Sequence, residues 1–288
     1  MKLSKLADYL SLTKPRVTLM VLITMIFGFY LGARGAVDWM LLFCAVAGTA
    51  MVAGGTSALN QYLERDLDAK MLRTKHRPLP TGRIPPNNAL AFGVFISSAG
   101  LLLLAWRVNL VTALLAGFTL TTYVFLYTPL KQKSHLSTLV GAIPGALPPM
   151  GGWTAARGEI GIEAWVLFAI LFLWQLPHFL AIAWMYREDY ARGGFPMLPV
   201  IDPEGRSTGR QIVSNCLALL PVSLLPSLLG ISGKAYFFGA LVLGLLFFAC
   251  GVAVHFQRSN RSARRLMRAS LIYLPALFVL MALDKSAF

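Results

Sequence analysis

Charge is scarce in this chain of 288 residues: Asp, Glu, Lys and Arg make up 13% of it, and only 12 residues are carboxylates. With 57% hydrophobic residues and a mean hydropathy of +0.65, that scarcity excludes a soluble domain, whose charged fraction is usually about a quarter. Cysteine is nearly missing as well. Cys44, Cys216 and Cys250 all fall in apolar stretches without CxxC spacing, so they read as small core residues, not as a disulfide scaffold or metal site. A cleaved leader is not expected, because the first apolar run starts only after Lys14-Pro15-Arg16 and offers no small-residue cleavage site. Nothing outside the apolar runs is long enough for a soluble domain. The whole chain, 1–288, is therefore expected to form a single membrane domain.

What the chain has instead is apolar length. Nine segments are long enough to span a bilayer: 17–33, 39–63, 88–106, 109–127, 137–156, 164–186, 211–232, 235–256 and a short 269–283. This predicts an all-α polytopic membrane protein, nine helices around a central cavity. The net charge of +14 would suggest nucleic acid in a soluble protein; here it sets topology. With the N-terminus in the cytoplasm, 21 of the 26 lysines and arginines fall on that side, leaving Arg34, Arg107, Arg157, Lys234 and Lys285 opposite. The expected location is the bacterial cytoplasmic (inner) membrane, with the C-terminus on the other face and lipid contact throughout. Arg261, Arg264, Arg265 and Arg268 fit such anchoring or contact with anionic lipid.

The chain is organised around Asn60 to Arg83, NQYLERDLDAKMLRTKHRPLPTGR. Asn60, Glu64 and Asp68 follow an i, i+4, i+8 spacing, each about 40° around a helix from the last, so they form one polar ridge roughly 12 Å long. Two carboxylates and an amide on one ridge repel unless something positive stands between them. A hard cation such as Mg²⁺ takes oxygen ligands and shares them with substrate phosphates, with Asp66 as an extra candidate ligand. Arg73, Lys75 and Arg77 follow in a Pro/Gly-rich loop suited to folding over an anion. The plainer alternative is a solvated helix end with an orienting basic loop.

Further along, Tyr127 and Lys131 close the fourth span, a pattern that by itself also serves as a membrane anchor. The fifth span, TLVGAIPGALPPMGGWTA, carries enough proline and glycine to break helical hydrogen bonding; lipid tolerates that only where protein or a cavity receives the freed groups. A kinked, cavity-lining helix is expected there. The sixth span places Gln175 and His178 at i, i+3 around Pro177, with Glu188 and Asp189 emerging toward the cytoplasm as a second acidic pair, followed by Gly193-Gly194-Phe195-Pro196. A histidine at membrane depth is expensive and faces the bundle interior or water. His255, beside Gln257 and Arg258, is expected to snorkel to water. The second and sixth spans both run toward the cytoplasm into carboxylates and a basic loop, which suggests two four-helix halves plus one helix.

A diphosphate head on a hydrocarbon tail fits both parts of this picture. Metal and cationic side chains would carry the leaving group, and a dry, aromatic-lined chamber would protect an allylic cation. On these residues the chain resembles the UbiA-type intramembrane prenyltransferases. Asn60-xxx-Glu64-xxx-Asp68 is similar to their first Asn/Asp motif, with Glu64 where most members carry Asp, and Tyr127-xxx-Lys131 is similar to their Tyr/Lys motif. ERDLDAKMLRTKHRPLP and WQLPHFLAIAWMYREDYARGGFPMLPV resemble more narrowly the haem-farnesylating branch.

That resemblance implies transfer of farnesyl from farnesyl diphosphate to a vinyl group of heme B, with addition of water. It implies catalytic roles for Asn60, Glu64, Asp68, Lys131, Glu188 and Asp189, with Mg²⁺ on Asn60, Glu64, Asp66, Asp68, Glu188 and Asp189. Arg73, Lys75, Arg77 and Tyr127 fall to the diphosphate, Gln175 and His178 to the acceptor, and oxidase assembly factors or heme A synthase become downstream partners. His178 and Met185 stand where quinone-type members place aspartates, which makes His178, or His135 near the interface, a candidate haem contact. An aromatic or quinone-precursor prenyltransferase is the alternative within the class; a haem carrier or secondary transporter is the alternative outside it.

Overall fold

The computed structural model describes residues 2–286. It is built from helices, and the isolated bridge Ser232–Lys285 is the sole β pairing among the described residues. A short helix α1 (Lys2–Leu12) leads into α2 (Pro15–Gly32), α3 (Trp39–Asp68), α4 (Pro86–Arg107) and α5 (Leu110–Thr121). These are followed by α6 (Ser137–Arg157), α7 (Ile162–Met185), the short α8 (Arg187–Arg192), α9 (Arg206–Val222), α10 (Lys234–Gln257) and α11 (Asn260–Leu283). The starts have local causes. Asp38 caps α3 by accepting from the Leu41 amide at 2.9 Å, Asn109 caps α5 from Thr112 at 2.8 Å, and Pro15 and Pro86 open their helices where no amide is needed.

Eight helices are long and apolar enough to cross a membrane among the described residues. The expected fifth span, α6, has 21 residues, but its prolines and glycines dilute its hydropathy and it stands outside that group. It nevertheless runs between the same two levels as its neighbours: Gly141 lies against the Tyr127 ring at one end, and Thr154 bonds Asn109 and Thr112 at the other. Pro144, Pro148 and Pro149 sit inside it, and more of it is covered by protein than faces outward. This is the setting in which freed backbone groups are tolerated at membrane depth.

Several boundaries differ from those expected. The second span continues as regular helix to Asp68, so the acidic ridge is helical throughout. The last helix starts at Asn260, nine residues before the apolar run, because Ser259 and Ser262 form a reciprocal capping box; the four arginines 261–268 therefore ride on α11 and not on a loop. His255 is half-buried: its backbone packs against Gly209, and its Nδ1 is buried without a hydrogen-bond partner among the described residues.

The two expected halves interlock. α2 leaves its sequence neighbour to pack on α6, and the contact is backbone to backbone: a Cβ at Gly28 would collide with the Pro149 carbonyl, and one at Gly152 with that of Met25. α11 in turn packs on α7 and α10. The largest buried cluster, including Trp153, Tyr236, Tyr273, Phe247 and Phe278, fills the side of the bundle formed by α6, α7, α9, α10 and α11.

Candidate functional site

The polar ridge faces inward. Asn60, Glu64 and Asp68 are all buried, and each meets a cation delivered by a different segment. Lys14 Nζ, at the α1–α2 junction, donates to Asn60 Oδ1 at 2.8 Å. Lys131 Nζ, beyond α5, lies 3.1 and 3.2 Å from the two oxygens of Glu64. Arg77, in the loop after α3, places Nη1 2.6 Å from Asp68 Oδ2. Buried carboxylates persist only when paired in this way.

Two backbone features aim these cations. Lys14 adopts the left-handed conformation, φ 48°, which costs an L-residue about 1–2 kcal/mol. Pro15 follows it, and proline disfavours α-helical geometry in the preceding residue, so the chain turns sharply from α1 into α2 and carries Lys14 under the ridge. On the other side, Thr122–Tyr127 forms a π-helical turn. Pro129 has no amide to close onto Phe125, and the helix widens just before it. Thr128, next in line, accepts from Asn60 Nδ2 at 3.1 Å and donates to the Tyr123 carbonyl at 2.8 Å.

The second acidic segment joins this site through its backbone and its covering loop. Asp189 is buried, and its Oδ1 accepts from the Leu72 amide at 3.0 Å and from Arg192 Nη2 at 2.9 Å. Burial pushes its carboxyl up, but the Arg192 bond and the Leu72 and Arg73 amides outweigh it and hold it below the ordinary aspartate value. The turn after α8 folds back so that Lys131 Nζ stands 4.4 Å from the centre of the buried Phe195 ring, a cation–π contact. Burial pulls the Lys131 ammonium down, and the Glu64 carboxylate reverses that, leaving it above its ordinary value. For Lys14 the balance goes the other way. Burial first, then Arg77, with Lys131 adding to them, brings its ammonium down to about 8.

Not every expected residue converges here. Asp66, two positions off the ridge, turns outward, with its side chain 84% exposed and Arg65 3.8 Å away. Glu188 is on the exposed side of α8 while Asp189 is buried, so the two do not act as a facing pair. Arg73 stacks over Tyr186 and Tyr190, and Lys75 is exposed; of the loop cations expected on the diphosphate, Arg77 alone pairs with the ridge. Tyr127 packs on Tyr123 and against Gly141. Gln175 donates to the Ala142 carbonyl of α6 at 2.7 Å, whereas His178 turns to Ser270 of α11 at 2.6 Å, so the i, i+3 pair serves two neighbours. His135 lines a cavity of about 170 Å³ with Thr138, Leu176, Gln211 and Asn215 among others. No cluster of three or more His, Cys, Asp or Glu side chains forms among the described residues.

Sequence reasoning missed Lys14, Thr128 and Phe195. A lysine directly before the proline that opens the first span was the legible signal for Lys14; the other two depend on packing. The donor set suits a hard cation: an amide oxygen and two carboxylates on one buried ridge, with Asp68 Oδ1 buried and without a partner among the described residues.

Comparison with known proteins gives the family and the fold. Residues 21–276 match the UbiA prenyltransferase family. Among curated relatives, the protoheme IX farnesyltransferase of Solibacter usitatus is 52% identical over 287 residues, covering 96% of this chain and 98% of the relative. That of Salinibacter ruber is 44% identical, again covering 96% and 98%. The fold is similar to that of a solved digeranylgeranylglyceryl phosphate synthase, with a TM-score of 0.83 at 18% identity over 98% of each chain. It is also similar to a UbiA homologue from Archaeoglobus fulgidus solved with GPP and Mg²⁺, with a TM-score of 0.65 at 17% identity over 95% and 99%. The chain belongs to the UbiA prenyltransferase family.

Proposed function

We propose that this protein transfers the farnesyl group of farnesyl diphosphate to a vinyl group of heme B, with water adding across it, to give heme O and diphosphate. One observation carries the chemistry: a buried ridge of three oxygen-bearing side chains, Asn60, Glu64 and Asp68, meets three cations drawn from three separate segments. A diphosphate and a hard cation need both sets at once. The choice of haem as acceptor rests on the names of the relatives, which match this chain along nearly its full length.

Asn60, Glu64 and Asp68 are the residues that would hold Mg²⁺, and Asp68 Oδ1 is the acceptor that lacks a partner. When bound, the metal supplies charge neutralisation for the departing diphosphate. Lys131, Arg77 and Lys14 surround the same oxygens and can turn their donors to the phosphates once the carboxylates are otherwise engaged. Asp189 fixes the start of the 69–77 loop that delivers Arg77. Phe195 covers Lys131 and keeps water from that side. The site opens toward the cytoplasm in this reading, with the N-terminus on that side, because the Lys/Arg-rich loops cluster there.

The test is incubation of the purified protein with farnesyl diphosphate, Mg²⁺ and either heme B or 4-hydroxybenzoate, followed by mass spectrometry and pyrophosphate assay. Pyrophosphate release with a hydroxyethylfarnesyl product from heme B alone is expected. Prenylation of 4-hydroxybenzoate would move the protein to the quinone-precursor branch, and haem binding without pyrophosphate release would make it a carrier.

A further inference from the structure

Resting on the haem-acceptor reading above, we propose that Ser270 holds His178 as a neutral imidazole protonated at Nδ1, whose free Nε2 is the protein ligand to the iron of the substrate haem. The proton count at Ser270 fixes the tautomer. Its hydroxyl lies 2.7 Å from the Met267 carbonyl and 2.6 Å from His178 Nδ1. The carbonyl has no proton to give, so the single hydroxyl proton goes to it, and Oγ meets Nδ1 as an acceptor. His178 must then donate from Nδ1, which leaves Nε2 with a bare lone pair. The opposite assignment would bring two acceptor oxygens, Oγ and the Met267 carbonyl, together at 2.7 Å with no proton between them.

The ring is also fixed in orientation. Trp174 stacks on it at 5.2 Å with 15° between planes, and the indole is itself held by its Nε1 bond to the Ser270 carbonyl at 2.9 Å. One residue of α11 thus anchors both aromatic groups of α7, Oγ on the imidazole and the carbonyl on the indole. Nε2 makes no hydrogen bond among the described residues, and the His178 side chain stays partly exposed. Among the described residues no carboxylate pairs with His178, so it is not set up as the proton-shuttling half of a His–carboxylate pair.

An imidazole lone pair without a partner at membrane depth carries a desolvation cost that a polar or metal partner removes. Histidine ligands to metals typically donate their other ring N–H to a fixed acceptor, which sets the tautomer and strengthens the ligating nitrogen. That is the arrangement here, and neutral imidazole is the usual protein ligand of haem iron. Coordination would form one Nε2–iron bond and release no proton. His178 precedes the end of α7 by seven residues, about 10 Å of helix, so its imidazole lies within the membrane-spanning part of α7. His135, the other candidate, has no comparable hydrogen bond fixing its ring.

The full-length protein in detergent is titrated with ferric heme B and followed by absorption and electron paramagnetic resonance. The wild type is expected to give a histidine-ligated spectrum. His178→Ala should lose it and recover it on addition of imidazole. Ser270→Ala should weaken haem affinity about 10–100-fold with an altered spectrum, and Ser270→Thr should restore both. Should His178→Ala fail to insert, His178→Met must still change the ligand signature. An unchanged spectrum in either His178 variant, or a Ser270→Ala protein equal to wild type, overturns the proposal. Loss of ligation with no farnesyl transfer by the wild type would instead refute the enzymatic reading while this site stood.

Discussion

The carboxylate of Asp189 accepts a hydrogen bond from the backbone amide of Leu72 at 3.0 Å, across 117 positions of sequence. This contact ties the end of α7–α8 to the loop that carries Arg77 onto Asp68. The two acidic segments therefore meet as one supporting the other's loop, with Asp189 acting on backbone.

Asp189→Ala takes the acceptor away from the Leu72 and Arg73 amides and from Arg192, a loss of about 0.5–1.5 kcal/mol for each hydrogen bond. Limited proteolysis should cut the 69–77 stretch faster in the variant, and turnover should fall while membrane insertion is kept. A cleavage pattern identical to wild type would remove Asp189 from this role.

Asp68→Ala removes both the unpartnered oxygen and the Arg77 counter-charge. It should lower kcat/KM at least about a hundredfold, roughly 2.7 kcal/mol of transition-state stabilisation, with the protein still in the membrane by flotation. Near-normal pyrophosphate release would contradict the metal role of the ridge.

Glu64 and Lys131 are a buried pair, with side-chain exposures of 3% and 13%. Breaking one partner should cost several kcal/mol, because the other is left charged and buried. Removing both, as Glu64→Gln with Lys131→Met, should cost less than the sum of the single changes, with a coupling of about 0.5–3 kcal/mol. Thermal unfolding of the four proteins in detergent measures this, and strict additivity would show that the ion pair is not energetically real.

The Lys14 ammonium is brought down to about 8 by burial and by Arg77. It is charged below that pH and neutral above it, so diphosphate affinity should decline as pH rises through about 8. Binding the anion favours the charged form, so in the complex the decline moves to higher pH and appears less in kcat than in kcat/KM. Lys14→Arg, permanently charged, should erase this limb in a pH profile of kcat/KM. A limb that persists unchanged in Lys14→Arg assigns it to another group.

Much of this site is legible in sequence because it is written in local periodicity. Asn60, Glu64 and Asp68 share a helix face by spacing alone, and burial of that face follows from the apolar residues around them. The same spacing turns Asp66 about 200° from Glu64 and off the ridge, but it could not separate Glu188 from Asp189, because which of two adjacent acidic residues is buried depends on how the packed helix turns. For Lys14 the sequence shows only its place before Pro15; its partner Asn60 is 46 positions away, and the left-handed turn before Pro15 brings them together.

By itself the sequence determined that this protein is a bundle of apolar helices with its positive charge at one end, since hydropathy and charge act on each segment without reference to its neighbours. It determined the acidic ridge and the proline- and glycine-rich character of α6 for the same reason. The tertiary structure decided which cation meets which carboxylate, that α2 packs on α6 through Gly28 and Gly152, and that His178 turns to Ser270 while Gln175 turns to Ala142. Those outcomes depend on close packing between segments far apart in the chain, where a rotation of one helix changes every partner at once.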